Sequence, residues 1–313
     1  MASYDVVIIG GGPAGLTAGL YVSRAGLKSL LVERGALGGQ MMNARLIENY
    51  PGFPKGISGF DLSSLMKQQA VAYGLEVVTA EVTDLIGKEF YKISTTEGSF
   101  EAPVIIIATG SEYRRLGVSG EERLSGHGVS YCATCDGFFF RNRDVAVIGG
   151  GDTAITDALE LSQHANKVYV IHRRDQLRAG KVLQERAFAN PKLAFIWDTV
   201  VSKFLGEEIL EKLELINVKT GQQSKLKVDG AFVAVGLMPN SQHFFKILEV
   251  DDSGHIVTDE MMATSAPGIF AAGDVRRSSP RQIAAAVGDG VIAAMSAFEY
   301  LQIKRNGARI TIS

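Results

Sequence analysis

The chain has little cysteine, a single tryptophan and no excess of charge of either sign. Only two of its 313 residues are cysteines, which excludes a scaffold held together by several disulfides. A net charge of −2 gives no electrostatic reason to expect binding to nucleic acid or to an anionic membrane. The longest apolar run, residues 283–298, contains Asp289, so we expect no membrane-spanning segment.

What is present indicates a globular protein of two ordinary domains. The length of 313 residues and a hydrophobic share of 46% allow each domain its own core. Thirty-five glycines without a collagen-like period indicate many tight turns. An apolar run at residues 6–9 begins almost at once, with no basic segment before it, so we expect no signal peptide and a cytoplasmic location.

The two cysteines stand at the spacing of a redox-active pair, Cys132-Ala133-Thr134-Cys135. Such a pair can also form half of a zinc site, but the sequence offers no second pair of ligands. The histidines are scattered without metal-ligand spacing. We therefore predict a redox disulfide and no metal site.

One pattern of thirty residues occurs twice, at 5–34 and at 144–173, and the two copies align without a gap. Each copy reads as an apolar strand, a glycine turn, a helix and a second apolar strand, which is a βαβ unit. The repeat predicts an α/β fold with two Rossmann-like dinucleotide-binding domains of three layers, the second inserted into the first.

Each turn carries the dinucleotide fingerprint, as Gly10-x-Gly12-x-x-Gly15 and as Gly149-x-Gly151-x-x-Ala154. The first glycine allows the tight turn, the second lets the backbone approach a pyrophosphate, and the third small residue packs the helix on the strand. A doubly wound domain that binds nothing is the alternative. Two copies in the same register, each between a strand and a helix, favour nucleotide binding.

The copies differ where their second strands end. The first ends at Glu33, whose carboxylate can accept hydrogen bonds from ribose hydroxyls. The second ends at His172-Arg173-Arg174, with Arg178 following, and guanidinium groups suit a ribose 2′-phosphate. A solvated basic patch is the alternative for these arginines. The first site is thus predicted to hold FAD and the second NADPH.

Later segments complete the predicted domains. Residues 104–110 and 232–236 resemble each other as late strands that close on a glycine, and a third apolar strand runs into Gly273-Asp274. We assign residues 1–114 and 243–313 to the FAD domain and 115–242 to the NADPH domain that carries the cysteines. The crossovers are predicted at 114–117 and at 239–240.

Together these motifs resemble bacterial and archaeal thioredoxin reductase, in the same order and over nearly the whole chain. The resemblance rests on the glycine turns, Gly38-Gly39-Gln40, Cys132 to Gly137, His172 to Arg174, and Gly273-Asp274 with Arg281-Gln282. It implies FAD and NADPH as cofactors, thioredoxin or a thioredoxin-like protein as partner, and a homodimer. By this resemblance the cofactor-binding residues are, for FAD, Gly10, Gly12, Pro13, Ala14, Gly15, Glu33, Arg34, Gly39, Gln40, Asn49, Ala108, Thr109, Gly110, Gly273, Asp274, Arg281, Gln282 and Ile283, and, for NADPH, Gly149, Gly151, Asp152, Thr153, His172, Arg173, Arg174, Arg178 and Gly236.

The resemblance also implies catalytic roles. Cys135 would face the flavin, Cys132 would attack the partner's disulfide, and Asp136 would act as acid and base. A turn or cap residue is the alternative for Asp136. The family rotates its second domain on the two crossovers, and we adopt that rotation as a hypothesis.

Three departures from the family pattern stand out: Thr156 where a glutamate is usual, Asp289, and Met41-Met42, for which we expect packing. Other functions remain open. A reductase of the same build could serve a peroxiredoxin or a glutaredoxin-like protein, and a ferredoxin-dependent relative is disfavoured by the arginine pair. A redox sensor that only changes shape is the alternative from another class.

Overall fold

The structure, a computed structural model, describes residues 2–44 and 46–310. In chain order the strands are β1 (Ala2–Ser3), β2 (Val6–Ile9), β3 (Ser29–Glu33), β4 (Glu76–Thr79), β5 (Val82–Gly87), β6 (Tyr91–Thr95), β7 (Gly98–Ala102), β8 (Val104–Ile107), β9 (Ser111–Tyr113), β10 (Val129–Ser130), β11 (Asp144–Ile148), β12 (Lys167–Ile171), β13 (Leu193–Ile196), β14 (Thr199–Leu205), β15 (Lys212–Asn217), β16 (Gln223–Lys227), β17 (Gly230–Val233), β18 (Leu237–Pro239) and β19 (Ile269–Ala271). The α-helices are α1 (Pro13–Arg24), α2 (Gly59–Ala72), α3 (Glu121–Leu124), α4 (Ala133–Asp136), α5 (Asp152–Leu161), α6 (Lys181–Ala189) and α7 (Ile283–Ile310).

The chain divides into two compact units, Met1–Glu112 with Met238–Ser313, and Tyr113–Leu237. It passes from one to the other at 112–113 and at 237–238, and the connecting strands β9 and β18 pair with each other. The nucleotide-binding domain limits at 114 and 242 stay predictions.

The first unit is built on a parallel sheet with the order β19-β8-β2-β3-β4. Strands β2 and β8 are buried along their whole length, which explains their continuous apolar sequence. Helices α1 and α7 cover one face, and the antiparallel strands β5, β6 and β7 cover the other. These are three layers around two apolar cores.

The second unit repeats this plan with the parallel order β10-β17-β11-β12-β13. Helices α5 and α6 pack on one face, and the antiparallel strands β14, β15 and β16 pack on the other. The predicted α/β fold with two Rossmann-like domains is confirmed.

Helix α7 extends beyond the apolar run 283–298 on which the expectation of no membrane-spanning segment rested. Residues 283–307 have the length and the mean hydropathy, 1.3, that such a span needs. Within this structure Ala293, Ala297 and Leu301 of that helix lie in the core of the first unit. The helix reaches this length because it continues past Asp289, and core helices meet the same criteria, so the expectation of no membrane-spanning segment is not contradicted.

Candidate active site

The first glycine turn, between β2 and α1, is crowded on its inner side and open on its outer side. A Cβ on Gly10, where φ is +104°, would lie 2.4 Å from the carbonyl oxygen of Ala108, and a Cβ on Gly15 would lie 1.9 Å from that of Gly10. A Cβ on Gly12 would meet nothing within 4 Å. The turn therefore needs its first and third glycines for its own packing, whereas Gly12 leaves room for a ligand.

Glu33 ends strand β3 beside this turn. Its carboxylate accepts hydrogen bonds from the backbone N–H of Gly11 at 2.6 Å and of Gly35 at 2.9 Å. The next predicted residue, Arg34, forms an exposed ion pair with Glu112. The acidic group thus lies where the fingerprint predicts a ribose.

Other predicted FAD residues come from distant parts of the first unit. Two pairs of them are in contact with each other, and two more bond to neighbouring backbone carbonyl groups. The contacts are Gly39 on Gly12, Gln40 Nε2 to Ser111 O at 3.5 Å, Asn49 Nδ2 to Gln282 Oε1 at 3.1 Å, and Thr109 Oγ1 to Asn240 O at 2.7 Å. Of the departures, Met41 is buried in a small apolar cluster with Ile47 and Leu62, which confirms the packing expected for it.

The Gly273-Asp274 turn follows strand β19. Gly273 has φ +77°, and a Cβ there would lie 3.0 Å from Cβ of Ala14, so the turn presses against the start of α1. Burial raises the pKa of Asp274, while the hydrogen bond from Ser279 Oγ at 2.9 Å acts in the opposite direction. Arg281 also offsets the burial, and it has a left-handed backbone with φ +58°.

The second glycine turn, between β11 and α5, repeats the geometry of the first. Gly149 has φ +152°, and a Cβ there would lie 2.3 Å from the carbonyl oxygen of Ala234. A Cβ on Gly151 would find only Arg178 Nη2, at 4.0 Å. Asp152 at the start of α5 accepts a hydrogen bond from Gly180 N at 2.7 Å. This turn too is open at its second glycine.

The basic strand end after β12 divides into a buried histidine and exposed arginines. His172 is 4% exposed, and a Cβ on Gly150 would lie 2.4 Å from its Nδ1. Burial and the nearby charge of Arg178 lower the pKa of His172, which favours the neutral form of the ring. Arg173, Arg174 and Arg178 are exposed, and across residues 2–44 and 46–310 none of them has a carboxylate partner.

The cysteines form a disulfide at the start of α4, directly after strand β10. Strand β10 and strand β11 both run parallel to β17, which lies between them. The disulfide and the Gly149 turn therefore lie at the same edge of one sheet, two strand spacings apart, or about 10 Å. Cys132 is half-buried and Cys135 is exposed.

Asp136 lies one residue after this pair, in a small polar network. Ser130 Oγ donates to its carboxylate at 2.6 Å and accepts from the backbone N–H of Cys132 at 3.1 Å. Burial raises the pKa of Asp136, and the Ser130 hydrogen bond only partly offsets this. Its side chain makes no capping hydrogen bond to the 3₁₀ turn that follows, which disfavours the interpretation as a cap residue.

Two features of the site were missed by sequence reasoning. Ser130 carries no motif that marks it, apart from being a hydroxyl two residues before the cysteine. The ion pair between Arg276 and Asp289 joins residues of different elements, and only the departure of Asp289 from the family pattern hinted at it.

Comparison with known proteins agrees with this geometry. Residues 4–290 match the family model described as pyridine nucleotide-disulphide oxidoreductase. This chain belongs to that family. A protein of Listeria innocua named thioredoxin reductase is 49% identical over 96% of this chain and 94% of its own length.

Solved structures agree as well. Thioredoxin reductase from Streptococcus pyogenes is 48% identical, superposes with a TM-score of 0.92, and the match covers 96% of this chain and 99% of that one. The Lactococcus lactis enzyme, described as being in the FR conformation, is 45% identical with a TM-score of 0.65 and coverage of 95% and 98%. The predicted family is thereby confirmed.

The chain is therefore a flavoprotein disulfide oxidoreductase, with FAD and NADPH as cofactors. Its residues fit these groups. Each unit offers a glycine turn open at the position where a pyrophosphate approaches, and only the second adds unpaired guanidinium groups suited to a 2′-phosphate among the described residues.

Proposed function

We propose that this chain is a thioredoxin reductase, which passes electrons from NADPH through FAD and the Cys132–Cys135 disulfide to the disulfide of thioredoxin or a thioredoxin-like protein. The observation that carries the proposal is the position of the redox pair, which lies at the same sheet edge as the open, arginine-flanked glycine turn. The names of its relatives support the same partner.

The two open turns support an assignment of residues to each cofactor. Backbone N–H groups at the start of α1, with Glu33 and Asp274, hold FAD, and those at the start of α5, with Arg173 and Arg174, hold NADPH. Bound at these two turns, the cofactors would supply hydride transfer and the electron pair needed to open the Cys132–Cys135 disulfide. The neutral His172 packs behind the second turn and supports it.

The dithiol then reduces the partner by two exchanges. The Cys132 thiolate attacks one sulfur of the partner's disulfide, which forms a mixed disulfide and releases the partner's other thiolate. Cys135 then attacks Cys132 Sγ, which restores the disulfide and releases the second partner thiolate. Two electrons leave the pair and two protons complete the partner's thiols.

Asp136 is the group proposed to move one of these protons. A carboxyl with a raised pKa holds its proton at higher pH than an ordinary aspartate does, which suits an acid that must be recharged near neutrality. A neighbouring carboxylate would disfavour a thiolate, so proton transfer is the better role than thiolate activation.

Exposed aromatic rings next to the pair support a protein partner. Phe138 and Phe139 follow the cysteines in the chain and are 63% and 47% exposed. Adjacent exposed aromatics are typical of protein-binding surfaces rather than of a solvated turn. We expect Phe139→Ala to raise KM for thioredoxin but not for a small disulfide dye, whereas Ile209→Ala, at a 60% exposed residue elsewhere in the unit, changes neither.

The decisive experiment combines steady-state turnover with the single variants Cys132→Ser and Cys135→Ser. Both variants should still let NADPH reduce the flavin in stopped flow, and both should lose thioredoxin turnover by several orders of magnitude, since one thiol cannot complete the exchange. Retained thioredoxin turnover in either variant would falsify the mechanism. In Cys132→Ser, the remaining Cys135 thiolate beside the flavin should give a long-wavelength absorbance band. The same band in Cys135→Ser instead would exchange the two cysteine roles.

The same assay separates the alternatives. A glutaredoxin-like protein or a peroxiredoxin system that turns over at least tenfold faster than thioredoxin would make the chain a reductase of the same build with another partner. An absence of turnover with any disulfide, while NADPH still changes the oxidation state of the pair, would favour the redox sensor.

We also propose a homodimer in the cytoplasm. Helix α7 leaves Met295 and Ile303 exposed by 61% and 66% on a helix whose other side lies in the core, and a second copy would cover them. Light scattering should give twice the chain mass, and Met295→Glu with Ile303→Glu should lower it. A wild-type monomer at micromolar concentration would contradict the dimer.

A further inference from the structure

Asp289 is a buried charged residue of the first unit to which the family resemblance assigns no role. It lies in the second turn of α7, 6% exposed, within the mainly apolar first half of that helix. Arg276 donates to it twice, from Nε to Oδ2 at 2.5 Å and from Nη2 to Oδ1 at 2.8 Å, and Gly273 N donates to Oδ2 at 3.0 Å. Both carboxylate oxygens are therefore used within the protein.

The pair occupies the junction of three elements that border the FAD site. Gly273 immediately precedes Asp274, and a Cβ on it would touch Ala14 of α1 and Ala286 of α7. The residue after Asp289, Gly290, packs so closely that a Cβ there would lie 2.4 Å from the carbonyl oxygen of Ala14. Asp289 thus stands where the glycine turn, the Gly273-Asp274 turn and α7 meet.

The loop between the two partners has an unfavourable backbone. Ser278 and Arg281 both have left-handed conformations, with φ +65° and +58°. Such residues persist only where the surroundings hold them, and they are frequent at ligand-binding sites. Two side-chain hydrogen bonds hold this loop: Ser279 Oγ donates to Asp274, and the Arg276 guanidinium group donates to Asp289.

A buried ion pair is a poor general stabiliser, because removing both charges from water offsets most of their attraction. Its better-supported use is to select one conformation among several. We propose that Arg276 and Asp289 act as a positioning pair that holds the Gly273-Asp274 turn and the loop 276–282 in the conformation that binds FAD.

This inference rests on the proposed FAD site of the first unit and concerns two side chains that bond to each other and to the Gly273 amide. Asp289 receives the Gly273 amide, so it determines where the next residue, Asp274, directs its carboxylate. Arg276 lies on the other side of that turn and also donates Nη1 to Arg277 O at 3.2 Å, which ties the start of the loop to the same centre.

The test measures FAD binding to apoprotein by fluorescence quenching, for Asp289→Asn, Arg276→Gln and the double variant. Each single variant should weaken FAD binding by at least about tenfold. The double variant should be no weaker than the worse single variant, since partners acting as one unit lose their interaction only once. The matched control is Asp5→Asn, which breaks the more exposed Arg305–Asp5 ion pair between α7 and the start of β2.

Two further measurements distinguish a role in positioning the FAD site from a role in stability alone. At saturating FAD, the visible circular dichroism of the bound flavin should change in the variants, because its surroundings have moved. Arg276→Lys keeps the charge but loses the two parallel donors, so it should fold and still weaken FAD binding. This variant decides the matter if Asp289→Asn does not fold.

The inference is overturned if Arg276→Lys and Arg276→Gln bind FAD within twofold of wild type, if the single effects add in the double variant, or if Asp5→Asn weakens FAD equally. Wild-type protein that binds no FAD would instead contradict the proposed function. An effect confined to the unfolding temperature of the apoprotein, with unchanged affinity and flavin spectrum, would also overturn the inference.

Discussion

The two five-stranded sheets share one strand order, yet the outer position of each is filled from a different part of the chain. In the first unit the strand next to β8 is β19, which comes late in the sequence and ends at Gly273-Asp274. In the second the strand next to β17 is β10, which comes before the repeat and ends at the cysteines. Asp274, the carboxylate proposed for the FAD site, and the redox pair thus follow equivalent strands of the two sheets.

The strand ends show a second contrast on the same frame. Glu33 bonds its carboxylate to the backbone of its glycine turn, whereas the equivalent His172 lies buried and neutral behind its own turn and leaves charge to the exposed arginines. The two turns share their backbone geometry, and we propose that these side chains favour FAD in the first unit and NADPH in the second.

The largest difference in stability between the two units is expected at the third position of the glycine fingerprint, which is Gly15 in the first unit and Ala154 in the second. Gly15→Ala should destabilise the apoprotein by about 3 kcal/mol, because the new Cβ meets the Gly10 carbonyl group, while Ala154 already fills the equivalent place. Ala154→Gly should cost only about 1 kcal/mol, as glycine does within a helix. Urea unfolding of both variants measures this, and equal losses would show that the two turns pack alike.

The next largest effect is expected on NADPH binding when the exposed arginines after strand β12 are replaced. Arg173→Gln with Arg174→Gln should raise KM for NADPH by roughly tenfold or more, since charge-assisted hydrogen bonds contribute about 1.5–3 kcal/mol each, and should leave KM for NADH within about twofold. Arg141→Gln, at another exposed arginine of the unit, is the control. A wild-type preference for NADH would contradict the assignment of this site.

The open glycines allow a crossed test of the two units. The backbones of Gly12 (φ −73°, ψ −174°) and Gly151 (φ −95°, ψ −177°) are ones that alanine adopts, so neither substitution should unfold the protein. Gly12→Ala should weaken FAD binding and Gly151→Ala NADPH binding, each by roughly tenfold. Gly288→Ala, which also adds a methyl group in open space, should affect neither. Loss of FAD in Gly151→Ala would reverse the assignment.

The smallest effect is expected for Asp136, the buried carboxyl group that follows strand β10 and the cysteine pair. Because the native pKa of Asp136 is raised by burial, the native state holds this proton more tightly than the unfolded chain does. The free energy of unfolding of wild type relative to Asp136→Asn should therefore fall as pH rises from about 4, and level off above the native pKa. Urea unfolding across this range measures it, and a difference that rises with pH would contradict the burial argument.

The sequence by itself was enough for every feature that depends on local spacing. The repeat, the two glycine turns, the contrast between Glu33 and the arginines, and the cysteine pair can all be predicted, because backbone conformation and strand-end chemistry are set by neighbours in the chain. The fold class and family followed from these motifs, and both are confirmed.

The tertiary structure decided what depends on contacts between distant residues. Sequence alone did not show that β10 and β19 take equivalent places, that Ser130 bonds Asp136, that His172 is buried, or that Asp289 in α7 pairs with Arg276. The effect of a charged residue in an apolar segment cannot be predicted until its partner is known, because the free-energy cost of burying the charge depends on the group that packs against it.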